Sequence, residues 1–159
     1  MRIYIGSDHA GFQLKNDIKT YLEGKYSSDN SFSILDLGVF TTDSADYPDI
    51  AREVGEKVRE NENEDGGSLG ILICGSGVGM SIAANKMSGI RAVLANNEIQ
   101  ARLAKAHNKA NVLCLGERLT GKDLAIAIVE SFLEGSFDGA ERHKRRVDKI
   151  NDIHKQYGP

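Results

Sequence analysis

Residues 69–79 read LGILICGSGVG, and this stretch decides the fold class. Its first six residues are apolar or glycine at successive positions, which is typical of a strand that is buried on both faces of a parallel sheet. Gly75, Gly77 and Gly79 then end the strand and lead into a helix-like segment at 80–86. Because a strand followed by a glycine-rich turn and a helix is the start of a βαβ unit, the stretch predicts an α/β protein.

Short apolar runs and longer helical segments alternate in both directions from this stretch. The pattern predicts strands at 2–6, 33–37, 69–74, 90–95 and 111–115, and helices at 12–22, 47–60, 80–86, 98–106, 122–134 and 141–156. We therefore predict a single three-layer α/β/α domain over residues 1–159, with a five-stranded, parallel, doubly wound (Rossmann-like) sheet. The polar stretches at 23–33 and 61–68 are interpreted as surface loops.

Composition excludes several classes of protein. With 40% hydrophobic and 27% charged residues, the 159-residue chain is not a disordered one. Its net charge of −3 offers no global surface for nucleic acid, and it has no apolar run of the roughly 20 residues that a membrane helix needs. Two cysteines without a CxxC pair indicate neither a disulfide framework nor a zinc knuckle. We expect a cytoplasmic protein, since MRIYIGSDHAG at the start is not a signal peptide.

The chemistry is expected where strands one, three and five end, because α/β sheets bind ligands at the carboxyl edge. Three segments meet there, GSDHAG at 6–11, CGSGVG at 74–79 and GER at 116–118. The glycine-rich turn matches neither a dinucleotide fingerprint nor a P-loop, but its N–H groups suit an anion or an oxyanion. A tight turn without a ligand is the alternative. Part of the glycine excess is assigned to catalysis, so Gly77→Ala is expected to damage turnover more than folding.

Each candidate side chain has a functional and a structural interpretation. Cys74, near a helix amino end that favours the thiolate, is either reactive or a small buried hydrophobe. Asp8 and His9 are either an acid and a base or a helix cap and a surface imidazole. His107 with Asn108 is equally ambiguous. Arg142 and Arg146 lie on one face of a basic helix, where they form either an anion site or a solvated surface. The other two histidines, His143 and His154, are interpreted as structural or solvated.

The sequence around these residues resembles that of the ribose-5-phosphate isomerase B family, which includes the galactose-6-phosphate isomerase subunits. The resemblance covers nearly the whole chain. It is carried by IGSDHAGFQLK at 5–15, DYPDIA at 46–51, ILICGSGVGMSIAANK at 71–86, GIRAV at 89–93, AHNKANVLCLGERL at 106–119 and ERHKRRVDKI at 141–150. The family's pattern has a Glu base in one branch at the position of Met80, so here the resemblance leaves Cys74 as the base.

The resemblance implies a metal-free and cofactor-free enzyme that interconverts D-ribose 5-phosphate and D-ribulose 5-phosphate in the pentose phosphate pathway. It assigns proton transfer between C2 and C1 to Cys74, a hydroxyl shuttle to Ser76, and ring opening to Asp8 with His107. Substrate binding is assigned to the backbone of Gly75, Gly77 and Gly79, to Tyr47 and Asn108 for hydroxyls, and to His9, Arg118, Arg142 and Arg146 for phosphate.

The family also implies a homodimer or homotetramer whose active sites are shared between subunits, with the basic helix at about 141–156 packing on the site or on a neighbour. Two other functions stay open at this stage. One is isomerisation of a hexose 6-phosphate such as allose or galactose 6-phosphate, since one extra carbon is discriminated only modestly. The other is a non-catalytic sugar-phosphate-binding module, because a fold does not fix a function. A flavin module is disfavoured by the absence of Trp.

Overall fold

Five parallel strands form one sheet in the computed structural model of the chain, which describes residues 1–61 and 67–157. The strands lie in the order β2-β1-β3-β5-β4. Their bounds are β1 Arg2–Ser7, β2 Ser33–Asp36, β3 Ser68–Cys74, β4 Ala92–Leu94 and β5 Val112–Gly116. Since β1, β3 and β5 are neighbours and all run the same way, their carboxyl ends meet at the centre of one sheet edge.

Helices cover both faces of this sheet. The α-helices are α1 Phe12–Lys25, α2 Tyr47–Glu60, α3 Val78–Ala84, α4 Glu98–Asn108, α5 Lys122–Glu134 and α6 Glu141–Tyr157, and a short 3-10 turn spans His9–Gly11. Helices α1, α4 and α5 pack on one face, and α2 and α3 pack on the other. Helix α6 packs outside this arrangement against α4, through the buried side chains of His143 and Val147.

Strand β3 shows why the sheet is buried on both faces. Ile71 and Ile73 point into the core under α1, α4 and α5, whereas Leu72 and Cys74 point into the core under α2 and α3. All four side chains are at most 5% exposed. An uninterrupted apolar run is therefore required here, and the predicted three-layer α/β architecture with five parallel strands is confirmed.

Helices at 47–60 and 122–134 have the predicted bounds, and the other elements differ at their ends. Helix α1 continues to Lys25, so the first polar loop starts later than expected. Strand β4 is shorter than 90–95 because the Ile90 amide bonds to the carbonyl of Met87 and the Arg91 amide to the side chain of Asn111. The predicted loop at 61–68 lies largely outside the described residues. Within 1–61 and 67–157, no helix is long and apolar enough to cross a bilayer.

Candidate active site

A cleft of about 600 Å³ opens at the carboxyl ends of β1, β3 and β5. It is lined by side chains and backbone from all three strand ends and from the start of α2. The lining residues are Asp8, His9, Ala10, Tyr47, Cys74, Gly75, Ser76, Val78, Gly79, Ile82, Arg118 and Leu119. The cleft thus brings together most of the candidates that the sequence placed after separate strands.

Cys74 lies at the floor of this cleft as the last residue of β3, 5% exposed. Its Sγ accepts a hydrogen bond from the Gly77 amide at 3.1 Å, at the start of α3. The sulfur therefore faces an N–H donor at the start of a helix. Cys114 lies deeper in the same core, and burial followed by the nearness of Cys74 raises the pKa of its thiol, which keeps it protonated. The thiol in position to react is therefore Cys74.

The glycine turn after β3 is shaped by close backbone approaches. Gly77 has φ +75°, and a Cβ there would lie 2.6 Å from the side chain of Leu94 and 2.8 Å from the carbonyl carbon of Leu115. Gly116, on the neighbouring strand, would place a Cβ 2.5 Å from the Ser76 carbonyl carbon. Both glycines are required by the packing of the turn against β5, so the structure does not support the expectation that Gly77→Ala spares folding.

Asp8 and His9 follow β1 and enter the cleft from one side. The Asp8 side chain accepts a hydrogen bond from the Ala10 amide at 2.9 Å, so the capping interpretation is confirmed for one carboxylate oxygen, and the residue lines the cleft as well. The Nδ1 atom of His9 accepts from the Ala45 amide at 3.3 Å. In a neutral ring the proton then lies on Nε2, which is the donor that a phosphate needs.

Tyr47 and Arg118 pack against the two ends of the glycine turn, Gly79 and Gly75. The Tyr47 ring packs so close to Gly79 that a Cβ there would lie 2.6 Å from the ring. The Arg118 guanidinium lies against Gly75, and the Arg118 amide donates to the Gly75 carbonyl at 3.1 Å. The absence of side chains on the turn therefore makes room for a phenol and a cation beside the thiol.

Five predicted site residues do not line this cleft in the described part of the chain. They are Gly77, which lies within the glycine turn, and His107, Asn108, Arg142 and Arg146. His107 and Asn108 end α4, and Arg142 and Arg146 are exposed near the start of α6. The His107 and His143 rings lie 4.3 Å apart between centroids. Asn108 lines a separate, more apolar cavity of about 560 Å³ beside α6. His107 and Arg142 thus both contact His143 of α6, and Asn108 lies in a cavity that α6 also lines, whereas none of the three lines the cleft that holds the thiol.

His107, Asp138 and His143 form the one group among residues 1–61 and 67–157 that brings three metal-ligand atoms within 4.8 Å of one another. His143 is 3% exposed, and its Nδ1 lies 2.8 Å from Asp138 Oδ2. Arg142 Nε donates to the other ring nitrogen of His143 at 3.2 Å. A second cation at this ring would be repelled by the guanidinium, so the group is described as a hydrogen-bond cluster. The structural interpretation of His143 fits this burial, whereas the His154 side chain lies outside the described residues.

Comparison with known proteins identifies the family of this chain. The profile of the Ribose/Galactose Isomerase family matches residues 3–150. The chain belongs to this family. A ribose-5-phosphate isomerase B from Escherichia coli is 41% identical over 155 residues, which cover 98% of this chain and 97% of that protein.

Solved structures of the same family share the whole architecture. The ribose-5-phosphate isomerase B of Clostridium thermocellum superposes with a TM-score of 0.90 at 44% identity, covering 99% of this chain and 100% of that one. The type B ribose 5-phosphate isomerase of Trypanosoma cruzi gives a TM-score of 0.88 at 40% identity, covering 99% and 100%. The match extends over the full length of both, so the chain contains the complete fold of these family members.

The sequence did not point to several residues that shape the site. Val78, Ile82 and Leu119 line the cleft as exposed apolar side chains, and nothing in the local pattern marks them. Ala45 acts through its backbone amide alone, so no side-chain pattern reveals it. Asp138 follows a helix in a short loop, where an acidic residue is expected for solvation, and only its contact with His143 distinguishes it.

Proposed function

We propose that the chain is an aldose–ketose isomerase that interconverts D-ribose 5-phosphate and D-ribulose 5-phosphate through a cis-enediolate. The single observation that carries this proposal is a nearly buried thiol, that of Cys74, at a helix amino end in a cleft that also holds an arginine. Such a thiol is a base that works without a metal. The family relationship supports the same activity, since relatives of this length are named ribose-5-phosphate isomerase B.

In this proposal the Cys74 thiolate takes the proton from C2 of the open-chain aldose, and the C1 carbonyl oxygen becomes an enediolate oxygen. Backbone N–H groups of the turn from Gly75 to Gly79 stabilise that charge where it develops. The Ser76 hydroxyl, whose Oγ faces the Val78 amide at 3.4 Å, transfers a proton between O2 and O1. The thiol then returns its proton to C1, which gives the ketose and restores the thiolate.

Phosphate and hydroxyl groups are held by the rim of the cleft. His9 presents Nε2 because Nδ1 is bonded to the Ala45 amide, and Arg118 supplies a guanidinium fork that suits phosphate oxygens. Tyr47 is placed to bond a sugar hydroxyl. A histidine, an arginine and a phenol around one thiol form a site for a short, polar, anionic substrate.

Ring opening of the furanose is assigned to Asp8 with His107. One of the two groups accepts the proton of the anomeric hydroxyl while the other protonates the ring oxygen, and the bond between C1 and the ring oxygen breaks. Because His107 lies apart from the cleft of its own chain, this step requires a second subunit. We assign the family's homodimer, or dimer of dimers, to this protein, with α6 carrying Arg142 and Arg146 to the phosphate of the neighbouring site.

Exposed apolar residues at the mouth of the cleft support such a subunit contact. Val78, Ile82 and Leu119 are 45%, 58% and 68% exposed, and all three line the cleft. Apolar side chains grouped beside a functional cleft mark a surface that another protein covers. A second copy that brings His107 to the cleft would cover them.

A complementation experiment tests the shared site. Cys74→Ala and His107→Ala proteins, each inactive as a homo-oligomer, are unfolded together, refolded and assayed. A shared site requires that the mixture recover part of the activity, because a hybrid dimer contains one site with neither substitution. If the mixture stays inactive while mass spectrometry shows hybrid dimers, each site is built from one chain.

The assigned place of this enzyme is the non-oxidative pentose phosphate pathway, whose two pentose phosphates are its substrate and product. A cytoplasmic location suits a catalytic base that must stay a free thiol, because reducing compartments keep cysteines reduced. Both Cys74 and Cys114 are free and buried.

The test of the proposal is a direct assay of the purified protein on ribose 5-phosphate, with chelator present, followed by NMR detection of ribulose 5-phosphate. Allose and galactose 6-phosphate are assayed in parallel, because the family's name includes a galactose isomerase. A higher kcat/KM on a hexose phosphate would assign the second candidate function. Binding of sugar phosphates without turnover would overturn the isomerase proposal in favour of a binding module.

A further inference from the structure

The loop between α5 and α6 holds a carboxylate residue, Asp138, that connects α4 to α6. Asp138 Oδ1 and Oδ2 lie 2.9 and 2.8 Å from Nδ1 of His143, and Oδ1 also accepts from the Ala140 amide at 3.0 Å. The Asp138 amide donates to the carbonyl of Ala106 at 3.1 Å. Ala106 directly precedes His107, so one residue links the end of α4, which carries the ring-opening histidine, to the start of α6.

These contacts specify the protonation state of His143. A carboxylate only accepts hydrogen bonds, so Nδ1 of His143 carries its hydrogen toward Asp138. Arg142 Nε only donates, and it points at Nε2 across 3.2 Å, so Nε2 is the acceptor. Both ends of the ring therefore require the neutral tautomer with the hydrogen on Nδ1. The Ala140 amide and then His143 lower the pKa of Asp138, which keeps the carboxylate ionised at neutral pH.

His107 packs directly on this fixed ring. The two rings lie 4.3 Å apart between centroids and are tilted by 39°. The His143 ring packs against the His107 ring and, in its neutral form, holds that ring in place without adding a charge beside it. The same His143 ring holds the guanidinium of Arg142 through Nε2.

We propose that Asp138 and His143 are positioning residues for ring opening: Asp138 fixes the tautomer and orientation of His143, and His143 places His107 and Arg142 together for the neighbouring subunit's cleft. This proposal depends on the proposed isomerase function and adds two positioning residues to it. It assigns a role to two residues that contact neither the thiol nor the cleft of their own chain.

The test separates ring opening from proton transfer at carbon. In a Cys74→Ala background, isomerisation is blocked, and exchange between the two furanose anomers of ¹³C1-labelled ribose 5-phosphate reports enzyme-catalysed ring opening by NMR. Asp138→Asn in this background is expected to reduce the enzyme-dependent exchange rate about 10- to 100-fold. Asp152→Asn, an exposed carboxylate on α6 that pairs with Lys155, is the matched control and is expected to leave the rate unchanged.

A second measurement does not depend on any variant. Imidazole ¹⁵N shifts of the wild-type protein at neutral pH are expected to show His143 protonated on Nδ1 and bare on Nε2. A doubly protonated His143, or the opposite tautomer, would overturn the proposal. The proposal would also be overturned if a folded Asp138→Asn protein in the Cys74→Ala background exchanged the anomers as fast as the Cys74→Ala protein alone. If the wild-type enzyme neither isomerises nor anomerises ribose 5-phosphate, the proposed function itself fails, and this inference falls with it.

Discussion

The amide of Gly77 donates a hydrogen bond to the sulfur of Cys74 across 3.1 Å, and these two residues are the ends of one tight turn. Gly77 itself adopts φ +75°, in the left-handed region, and this conformation directs the chain from the donor into α3. The turn that holds the thiol beside an N–H donor therefore continues through a backbone conformation that disfavours any residue other than glycine.

Gly77→Ala is expected to destabilise the protein by roughly 2–5 kcal/mol, from left-handed strain and from contact of the new Cβ with Leu94 and Leu115. Urea unfolding followed by circular dichroism measures the loss. Gly24→Ala is the matched control, because a Cβ at this helical position meets nothing within 4 Å. An unchanged unfolding midpoint with lost turnover would restore a purely catalytic role for Gly77.

Gly79→Ala is expected to act on substrate binding through Tyr47. The backbone at Gly79 is helical, so the fold accepts alanine, but the new Cβ would lie 2.6 Å from the Tyr47 ring and displace it. KM for ribose 5-phosphate should rise about 10-fold, the loss of roughly one hydrogen bond, with little change in the unfolding midpoint. If Gly79→Ala leaves KM unchanged while Tyr47→Phe raises KM, the Tyr47 ring moves without losing its contact with the substrate. The close packing of Gly79 against Tyr47 then has no functional consequence.

Lys15 is fully buried, and its removal should destabilise the loop that leads to Tyr47. Its Nζ lies 2.8 Å from Asp36 Oδ1 and donates to the Val39 carbonyl at 2.7 Å. Lys15→Met leaves the Asp36 carboxylate, 8% exposed, with the Gly38 amide at 3.1 Å and Lys19 at 3.9 Å, and should cost about 2–4 kcal/mol. Denaturant unfolding tests this value.

The double variant Lys15→Met/Asp36→Leu is expected to recover most of that stability, because neither charge is then buried alone. A double variant as unstable as Lys15→Met would show that the Val39 contact, rather than the ion pair, holds the loop.

Lys105 makes stability depend on pH. Burial, followed by the charges of Arg91 and Lys109, lowers its pKa to about 8 from an ordinary 10.5. Between these values the unfolded chain binds more protons than the folded one, so stability rises with pH across this window. Lys105→Met should remove that rise and stabilise the protein at pH 7 by about 1–2 kcal/mol, a value reduced for solvent screening.

Unfolding midpoints measured from pH 7 to pH 10.5 on both proteins test this prediction. If the unfolding midpoints of the two proteins change with pH in parallel, the pKa of Lys105 is the same in the folded and unfolded chains, which would contradict the prediction. The Lys105 side chain lies over the Phe132 ring, so methionine keeps the apolar contact while removing the charge.

The sequence predicted the sheet because its signal is local. Four successive apolar residues from Ile71 to Cys74 are needed wherever a strand has helices on both faces, and such a run is readable without coordinates. Helix α2 was predicted with its observed bounds for a similar reason, since Ala51, Val54 and Val58 form one buried stripe. The carboxyl-edge rule then placed Asp8, Cys74 and Arg118 in one cleft.

The remaining features depend on contacts between distant parts of the chain. The His9 tautomer is set by the Ala45 amide, and the His143 ring is set by Asp138 across a helix start, and neither contact has a periodicity or a spacing. The sequence could not show that Gly77 is needed for packing, because a glycine that admits a ligand and a glycine that admits a neighbouring strand look alike in a sequence. The approaches of Leu94 at 2.6 Å and Leu115 at 2.8 Å to a Cβ at this position separate the two.

The most direct test of the account compares wild-type and Cys74→Ala proteins for conversion of ribose 5-phosphate to ribulose 5-phosphate, with chelator present and circular dichroism as the check on folding. The small, nearly buried side chain makes alanine acceptable to the fold. We expect turnover by the wild type and a loss of about 10²–10⁴-fold in the variant, which is the contribution of a positioned base. A folded Cys74→Ala protein with wild-type kcat would contradict the assignment of the thiol as the base that moves the proton between C2 and C1.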